Sequence, residues 1–128
     1  MDELKRYFTL EEANAAVEAI RPIMREMLEI RQRIIDLQPG VWPVIEKSVG
    51  NGGSQAASQA TREFERINTL AHEIQAVGGV IKDLNNGLVD FLAKREGREV
   101  YLCWKYGEQK IEFWHEIDSG FSSRQPWW

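Results

Sequence analysis

Apolar residues recur every three or four positions over residues 10–37, the spacing that places them on one face of an α-helix. Thr9 and Glu12 have the spacing of a capping box, in which each side chain accepts a hydrogen bond from the other residue's backbone amide. The box predicts where the helix begins, and Pro39 predicts that it ends near Leu37. The stretch should therefore form one amphipathic helix of about eight turns.

A second stretch with helical spacing runs from about Gln55 to Ala76 and stops at Gly78-Gly79. Together the two helices are predicted to form an antiparallel hairpin over about residues 9–77. Prolines and glycines interrupt any period in residues 38–54, so this connection is predicted to be an irregular loop.

After Gly79 apolar residues alternate with polar ones, which predicts β-strands over about residues 80–117. Three turn signals divide this stretch: Asn86-Gly87, Glu96-Gly97 and Gly107-Glu108. Read as two-residue hairpin turns, they fix the pairing of the strands and collect most of the apolar residues on one face. That face should pack on the helical hairpin.

The pattern predicts one α+β domain over residues 1–128, a long antiparallel helical hairpin packed on a three- to four-stranded antiparallel β-meander. Residues 118–128 are predicted to form a C-terminal tail. A net charge of −4 argues against a nucleic-acid partner, and no apolar run approaches the roughly 20 residues of a membrane span. Cys103 is the single cysteine, and Met1–Phe8 has no signal-like pattern, so we expect a cytoplasmic location.

In the predicted register Asp83, Asp90, Cys103 and Glu112 lie side by side across four strands, on the less apolar face. Carboxylate oxygens suit Mg²⁺, Ca²⁺ or Mn²⁺, and a thiolate would extend the choice to zinc or iron. Asp83, Asp90 and Glu112 are therefore the predicted ligands of a divalent cation. Two carboxylates directly opposite each other require a cation, a proton or a different register, and a solvated polar face is the alternative to an ion site.

His115 ends the last predicted strand on the apolar face, whereas Trp114 and Cys103 point to the other face. Cys103 and His115 should therefore be unable to form a nucleophile–base pair. No catalytic residue is predicted, and we expect a non-enzymatic binding or assembly module. The alternative is a small ion-dependent protein or enzyme that uses the acidic row with Cys103 or His115. The ligand is not predicted, but its candidate binding residues are Asp83, Asp90, Cys103, Glu112, Trp114 and His115.

The first helix is long enough to predict an uncovered apolar surface. Its 28 or so residues span roughly 40 Å, whereas strands of six or seven residues cover only about 20–24 Å. Met24, Met27, Ile30 and Ile34 would then remain exposed to solvent, which soluble monomers seldom tolerate. We therefore expect a homodimer with the helices at its interface.

Segments spread over almost the whole chain share their pattern with one family: Tyr7–Asn14, Val80–Asp83, Gly87–Phe91, Gly97–Trp104 and Phe113–Glu116. On these segments the chain resembles an uncharacterised bacterial family that is catalogued as a domain of unknown function. The resemblance implies relatives, but it implies no activity, cofactor or catalytic residue.

Overall fold

The computed structural model describes residues 5–49 and 62–128. Its helices are α1 (Leu10–Leu37), α2 (Trp42–Ser48) and α3 (Arg62–Val77). Its strands are β1 (Val80–Asp83), β2 (Leu88–Arg95), β3 (Arg98–Lys105), β4 (Phe113–Glu116) and β5 (Gln125–Pro126). The α+β class and the helical hairpin on an antiparallel sheet are confirmed. The predicted strand count is too low, because the predicted tail contributes β5. No helix among the described residues has the length and apolarity to cross a bilayer.

Helix α1 begins and ends where the sequence predicts. The Thr9 side chain accepts a hydrogen bond from the Glu12 amide at 3.0 Å, and the Glu12 carboxylate accepts one from the Thr9 amide at 2.9 Å. The capping box is therefore complete, and the helix continues through Pro22 to Leu37. Its buried face joins the sheet and the other helices in one hydrophobic core.

The prediction of an irregular loop over residues 38–54 is wrong for residues 42–48, which form α2. Pro43 lies in the first turn of this helix, where a missing backbone N–H is tolerated. Trp42 and Ile45 are buried in the core, and their apolar contacts favour the helix over a loop. Residues 50–54 of the predicted loop, and the predicted start of the second helix near residue 55, lie outside the described residues.

The apolar residues of α1 that motivated the dimer are buried within one chain. Met24 and Met27 have no exposed surface, and Ile30 and Ile34 are 1% and 7% exposed, because α2, α3 and residues 84–86 pack against α1. The expectation of an exposed stripe is therefore wrong. The homodimer itself stays a prediction, which sedimentation equilibrium would test.

The strands pair in chain order, β1-β2-β3-β4-β5, and every pair is antiparallel. The face toward the helices, here called the inner face, is apolar and buried along the central parts of β2 and β3. Its central residues are Val89, Phe91, Ala93, Val100, Leu102 and Trp104. The opposite face, here called the outer face, carries polar and apolar residues.

The register between β2 and β3 is confirmed, but the register between β3 and β4 is wrong by one residue. Cys103 pairs with Phe113, not with Glu112 as predicted. Gly107-Glu108 is not a two-residue turn, because the chain continues along α1 before β4 begins. There the Ile111 amide donates to Asn14 Oδ1 at 2.7 Å. A one-residue shift turns every side chain of β4 to the opposite face.

The register between β1 and β2 also differs from the prediction. Asp90 pairs with Val80 and Asp83 pairs with Leu88, so the two aspartates are not opposite each other. A turn of 3₁₀-helix at Leu84–Asn86 replaces the expected two-residue turn. The register error, not a cation or a proton, resolves the like-charge conflict of the predicted pairing.

Candidate metal site

Asp90, Cys103 and His115 come together at the centre of the outer face. Asp90 on β2 pairs with Cys103 on β3, and Tyr101, two residues from Cys103, pairs with His115 on β4. All three therefore lie on one face. The His115 ring reaches across β3, and its Nε2 lies 2.8 Å from Asp90 Oδ2. The possible ligand atoms of the three residues all lie within 4.8 Å of one another.

The group is shielded from solvent although it lies on the outer face. Asp90 and Cys103 are each 1% exposed and His115 is 2% exposed. The Tyr101 ring contacts the His115 ring with centroids 5.7 Å apart, and Lys82 Nζ lies 4.4 Å from the centroid of Tyr101. The three polar side chains are thus removed from water, which is unfavourable unless they find partners.

The hydrogen bond between His115 and a backbone carbonyl fixes a proton on one ring nitrogen, Nδ1. Nδ1 lies 2.8 Å from the backbone carbonyl of Glu116, which can only accept, so Nδ1 donates. Nε2 faces the Asp90 carboxyl group. One proton lies between the two groups, carried either by Nε2 or by the carboxyl of Asp90. The carbonyl of Glu116 therefore orients Nε2 toward Asp90.

The second oxygen of Asp90 has no such partner. Among the described residues, Oδ1 accepts no hydrogen bond although it is buried. Burial raises the pKa of Asp90 above the usual value, and His115 and Cys103 only partly oppose that rise. An unpaired buried oxygen is uncommon in native proteins and calls for an explanation.

Cys103 is held as a thiol. Burial, followed by the nearby charge of Asp90, raises the pKa of Cys103 to about 12. Arg124 partly opposes this rise through its positive charge. Because the thiolate is the reactive form, Cys103 is not set up as a nucleophile at neutral pH.

The predicted cation ligands Asp83 and Glu112 do not belong to this group. Asp83 lines a separate cleft of about 560 Å³ beside Glu46 and Asn85. Glu112 lines another cleft together with Lys110, and the Lys110 Nζ lies 3.9 Å from the Glu112 carboxylate. The predicted alignment of Asp83, Asp90 and Glu112 in one row is wrong, because it depended on the two incorrect registers, and among the described residues these three do not form a group with metal-ligand spacing.

The same shift corrects the predicted positions of Trp114 and His115. Trp114 lies on the inner side and is 5% exposed, and the Arg95 guanidinium lies 5.0 Å from the centroid of its ring. Cys103 and His115, predicted on opposite faces, are neighbours. One signal in the sequence favoured this arrangement, because a one-sided sheet should place Trp114 inside and the polar His115 outside. No comparable signal identified Arg124.

These features define an α+β protein in which a helical hairpin covers one face of a β-meander and an Asp–Cys–His group is buried on the other. The chain belongs to the family described as "Uncharacterized conserved protein (DUF2203)", whose profile matches residues 6–127. The resemblance to a family of unknown function is thereby confirmed. Comparisons with curated proteins and with solved structures find no match.

Proposed function

We propose that the protein is a non-enzymatic module that binds one transition-metal ion, with zinc as the best fit, through Asp90, Cys103 and His115. The observation that carries the proposal is the convergence of three buried ligand atoms within 4.8 Å. This set replaces Asp83, Asp90 and Glu112, of which only Asp90 remains.

The distances are close to those of a formed site. Zinc–ligand bonds of about 2.0–2.3 Å place tetrahedral ligands roughly 3.3–3.8 Å apart. The widest spacing of 4.8 Å would shorten by about 1 Å, and the contact of 2.8 Å between His115 and Asp90 would lengthen by about half that. Rotation of side chains on fixed strands can supply such shifts.

The surroundings of the ligands also support metal binding. Metal-bound histidines usually donate their other ring N–H to a carbonyl or carboxylate, as His115 does to the Glu116 carbonyl. The unpaired Oδ1 of Asp90 has a free lone pair for an ion. A sulfur ligand with one nitrogen and one oxygen favours zinc over magnesium or calcium.

A binding role fits these residues better than catalysis. The Cys103 thiol is a poor nucleophile because its pKa is about 12, and all three side chains are at least 98% shielded from solvent. Three protein ligands leave one coordination position for water or another donor. The cytoplasmic location expected from the single cysteine would keep Cys103 reduced and able to bind.

Metal analysis of untagged protein, purified without added metal, tests the proposal. We expect close to one zinc ion per chain. After chelation, Co²⁺ should restore the site and produce the charge-transfer absorption of a cobalt–thiolate bond. Cys103→Ser should abolish that absorption, and Asp90→Asn should weaken binding by more than about 100-fold, beyond the range for outer-sphere changes.

Asp90→Asn separates metal binding from folding, because the amide can still donate to His115 Nε2. His72→Asn is the matched control, since His72 is exposed on α3, away from the site. Wild-type protein that contains no metal and gives no cobalt–thiolate absorption would refute the proposal. So would wild-type binding in Cys103→Ser and Asp90→Asn.

A further inference from the structure

The chain after β4 returns over the outer face next to the candidate metal site. A 3₁₀ turn at Phe121–Ser123 leads into β5, which pairs with β4. The Phe121 ring lies 5.4 Å from Lys105 Nζ, and Lys105 belongs to the same face of β3 as Cys103. Residues 117–128, here called the C-terminal segment, thus run beside β4 and reach Lys105 of β3 through Phe121.

Arg124 attaches this segment to the rest of the protein. Its guanidinium lies between two rings, 4.4 Å from the centroid of Phe113 and 4.1 Å from that of Phe121. Its Nη1 donates to Glu108 Oε1 at 3.1 Å, and its Nη2 lies 2.8 Å from Glu108 Oε2 in an ion pair. Only 13% of the Arg124 side chain is exposed, so the guanidinium is largely shielded from solvent.

Arg124 is also placed beside the sulfur. Phe113, on which Arg124 stacks, pairs directly with Cys103 across β3 and β4. The positive charge of the guanidinium therefore lies near the thiol, where it partly opposes the rise in the pKa of Cys103. Glu108, which fixes Arg124, itself accepts a hydrogen bond from the Lys105 amide at 2.8 Å. The Arg124 guanidinium is thus held from β3 through Glu108 and from β4 through Phe113.

We infer that Arg124 is an outer-sphere positioning residue of the metal site, donating to the metal-bound sulfur of Cys103 and holding the C-terminal segment over it. The inference rests on the proposed function. A metal-bound cysteine is a thiolate, and hydrogen bonds from a cation to an anion are stronger than neutral ones. Metal binding and attachment of the segment should therefore reinforce each other, since such coupling is reciprocal.

Cobalt titration of Arg124→Ala in the full chain tests the inference. We expect affinity for Co²⁺ to fall about 10- to 100-fold, the usual effect of losing an outer-sphere partner. The cobalt–thiolate absorption should also move to longer wavelength, because a sulfur without its hydrogen bond is the better electron donor. A residue that only supports the fold would not shift this band. In wild-type protein, Zn²⁺ should slow amide exchange in residues 117–128.

Arg66→Ala is the matched control, because Arg66 also pairs with a carboxylate, donating twice to Glu26 at 2.7 and 2.9 Å between the helices. It should leave the affinity and the band unchanged. If Arg124→Ala unfolds, Arg124→Met provides the same readouts, because methionine keeps an apolar side chain between the two rings but has no N–H to donate. Wild-type affinity and an unshifted band in the Arg124 variant would overturn the inference but leave the proposed function intact. No cobalt–thiolate absorption in wild-type protein would overturn both.

Discussion

The two faces of the sheet are both buried at their centres, but by different kinds of side chain. Phe91 and Leu102 on the inner face are fully buried and apolar, and removing apolar surface from water is favourable by about 25 cal/mol per Å². Asp90 and His115 on the outer face are equally shielded, although burying polar groups is unfavourable without partners. The inner face thus stabilises the fold by its composition. The stability of the outer face depends instead on the contact between Asp90 and His115.

The largest effect on the free energy of unfolding is expected from removing one member of the Asp90–His115 contact. Asp90→Ala, in chelator-treated protein, should lower the free energy of unfolding by roughly 3–5 kcal/mol, because His115 loses its partner. The double variant with His115→Ala should lose less than the sum of the single losses, since the two effects share one interaction. Urea titration measures all three variants. A loss below about 0.5 kcal/mol in Asp90→Ala, the range of surface changes, would contradict the contrast between the faces.

Leu102→Ala probes the inner face at the centre of the core. Leu102 is completely buried, so truncation should leave a cavity and lower the free energy of unfolding by roughly 2–5 kcal/mol. Unlike Asp90→Ala, this loss should be unaffected by replacement of His115. The same urea titrations give the answer, and strong coupling between the inner and outer variants would contradict independent faces.

The smallest effect on stability is expected from Glu99, at the exposed edge of the outer face. Hydrogen bonds from Tyr7 at 2.5 Å and Lys5 at 3.0 Å lower the pKa of Glu99, and Lys94 adds a nearby positive charge. A lowered pKa stabilises the fold above the unfolded-state value, and this contribution disappears as the pH falls from about 5 to 3. Glu99→Gln should therefore reduce the acid sensitivity of the unfolding midpoint slightly.

Tyr7→Phe provides the control for that measurement, because it removes the first hydrogen bond but leaves the carboxylate able to titrate. Its acid sensitivity should lie between those of wild type and Glu99→Gln. An increase in acid sensitivity in Glu99→Gln would reverse the expected sign and exclude the contact as a stabilising one.

The two faces also differ in how far the sequence predicts them. The inner face followed from alternation along β2 and β3, and the Glu96-Gly97 turn gave their register correctly. Local patterns of this kind suffice when one turn joins two strands. The position of His115 depends instead on contacts with α1, where Arg21 donates to the Gln109 carbonyl at 2.8 Å and Asn14 holds the next part of the loop. Such distant contacts leave no short-range signal.

The candidate metal site was also only partly predictable from short-range patterns in the sequence. Asp90, Cys103 and His115 are all among the candidate binding residues, but the predicted ligand set has Asp83 and Glu112 in place of Cys103 and His115. Asp83 was included because Asn86-Gly87 resembles a hairpin turn, whereas the chain forms a 3₁₀ turn there. An error of one residue in register therefore leaves the inner face of β2 and β3 correctly predicted. The same error moves His115 to the wrong face and so separates it from the other two members of a site that spans three strands.

Because each strand pairs with the one before it, the sheet can form in the order in which the chain is synthesised. The β2–β3 hairpin would bring Asp90 and Cys103 together first, His115 would join with β4, and Arg124 would follow last. The 21 residues from Cys103 to Arg124 (124 minus 103) take about one to four seconds to translate at roughly 5–20 residues per second. Under the proposed function, an ion could reach the sulfur during that interval, before Arg124 is in place beside it.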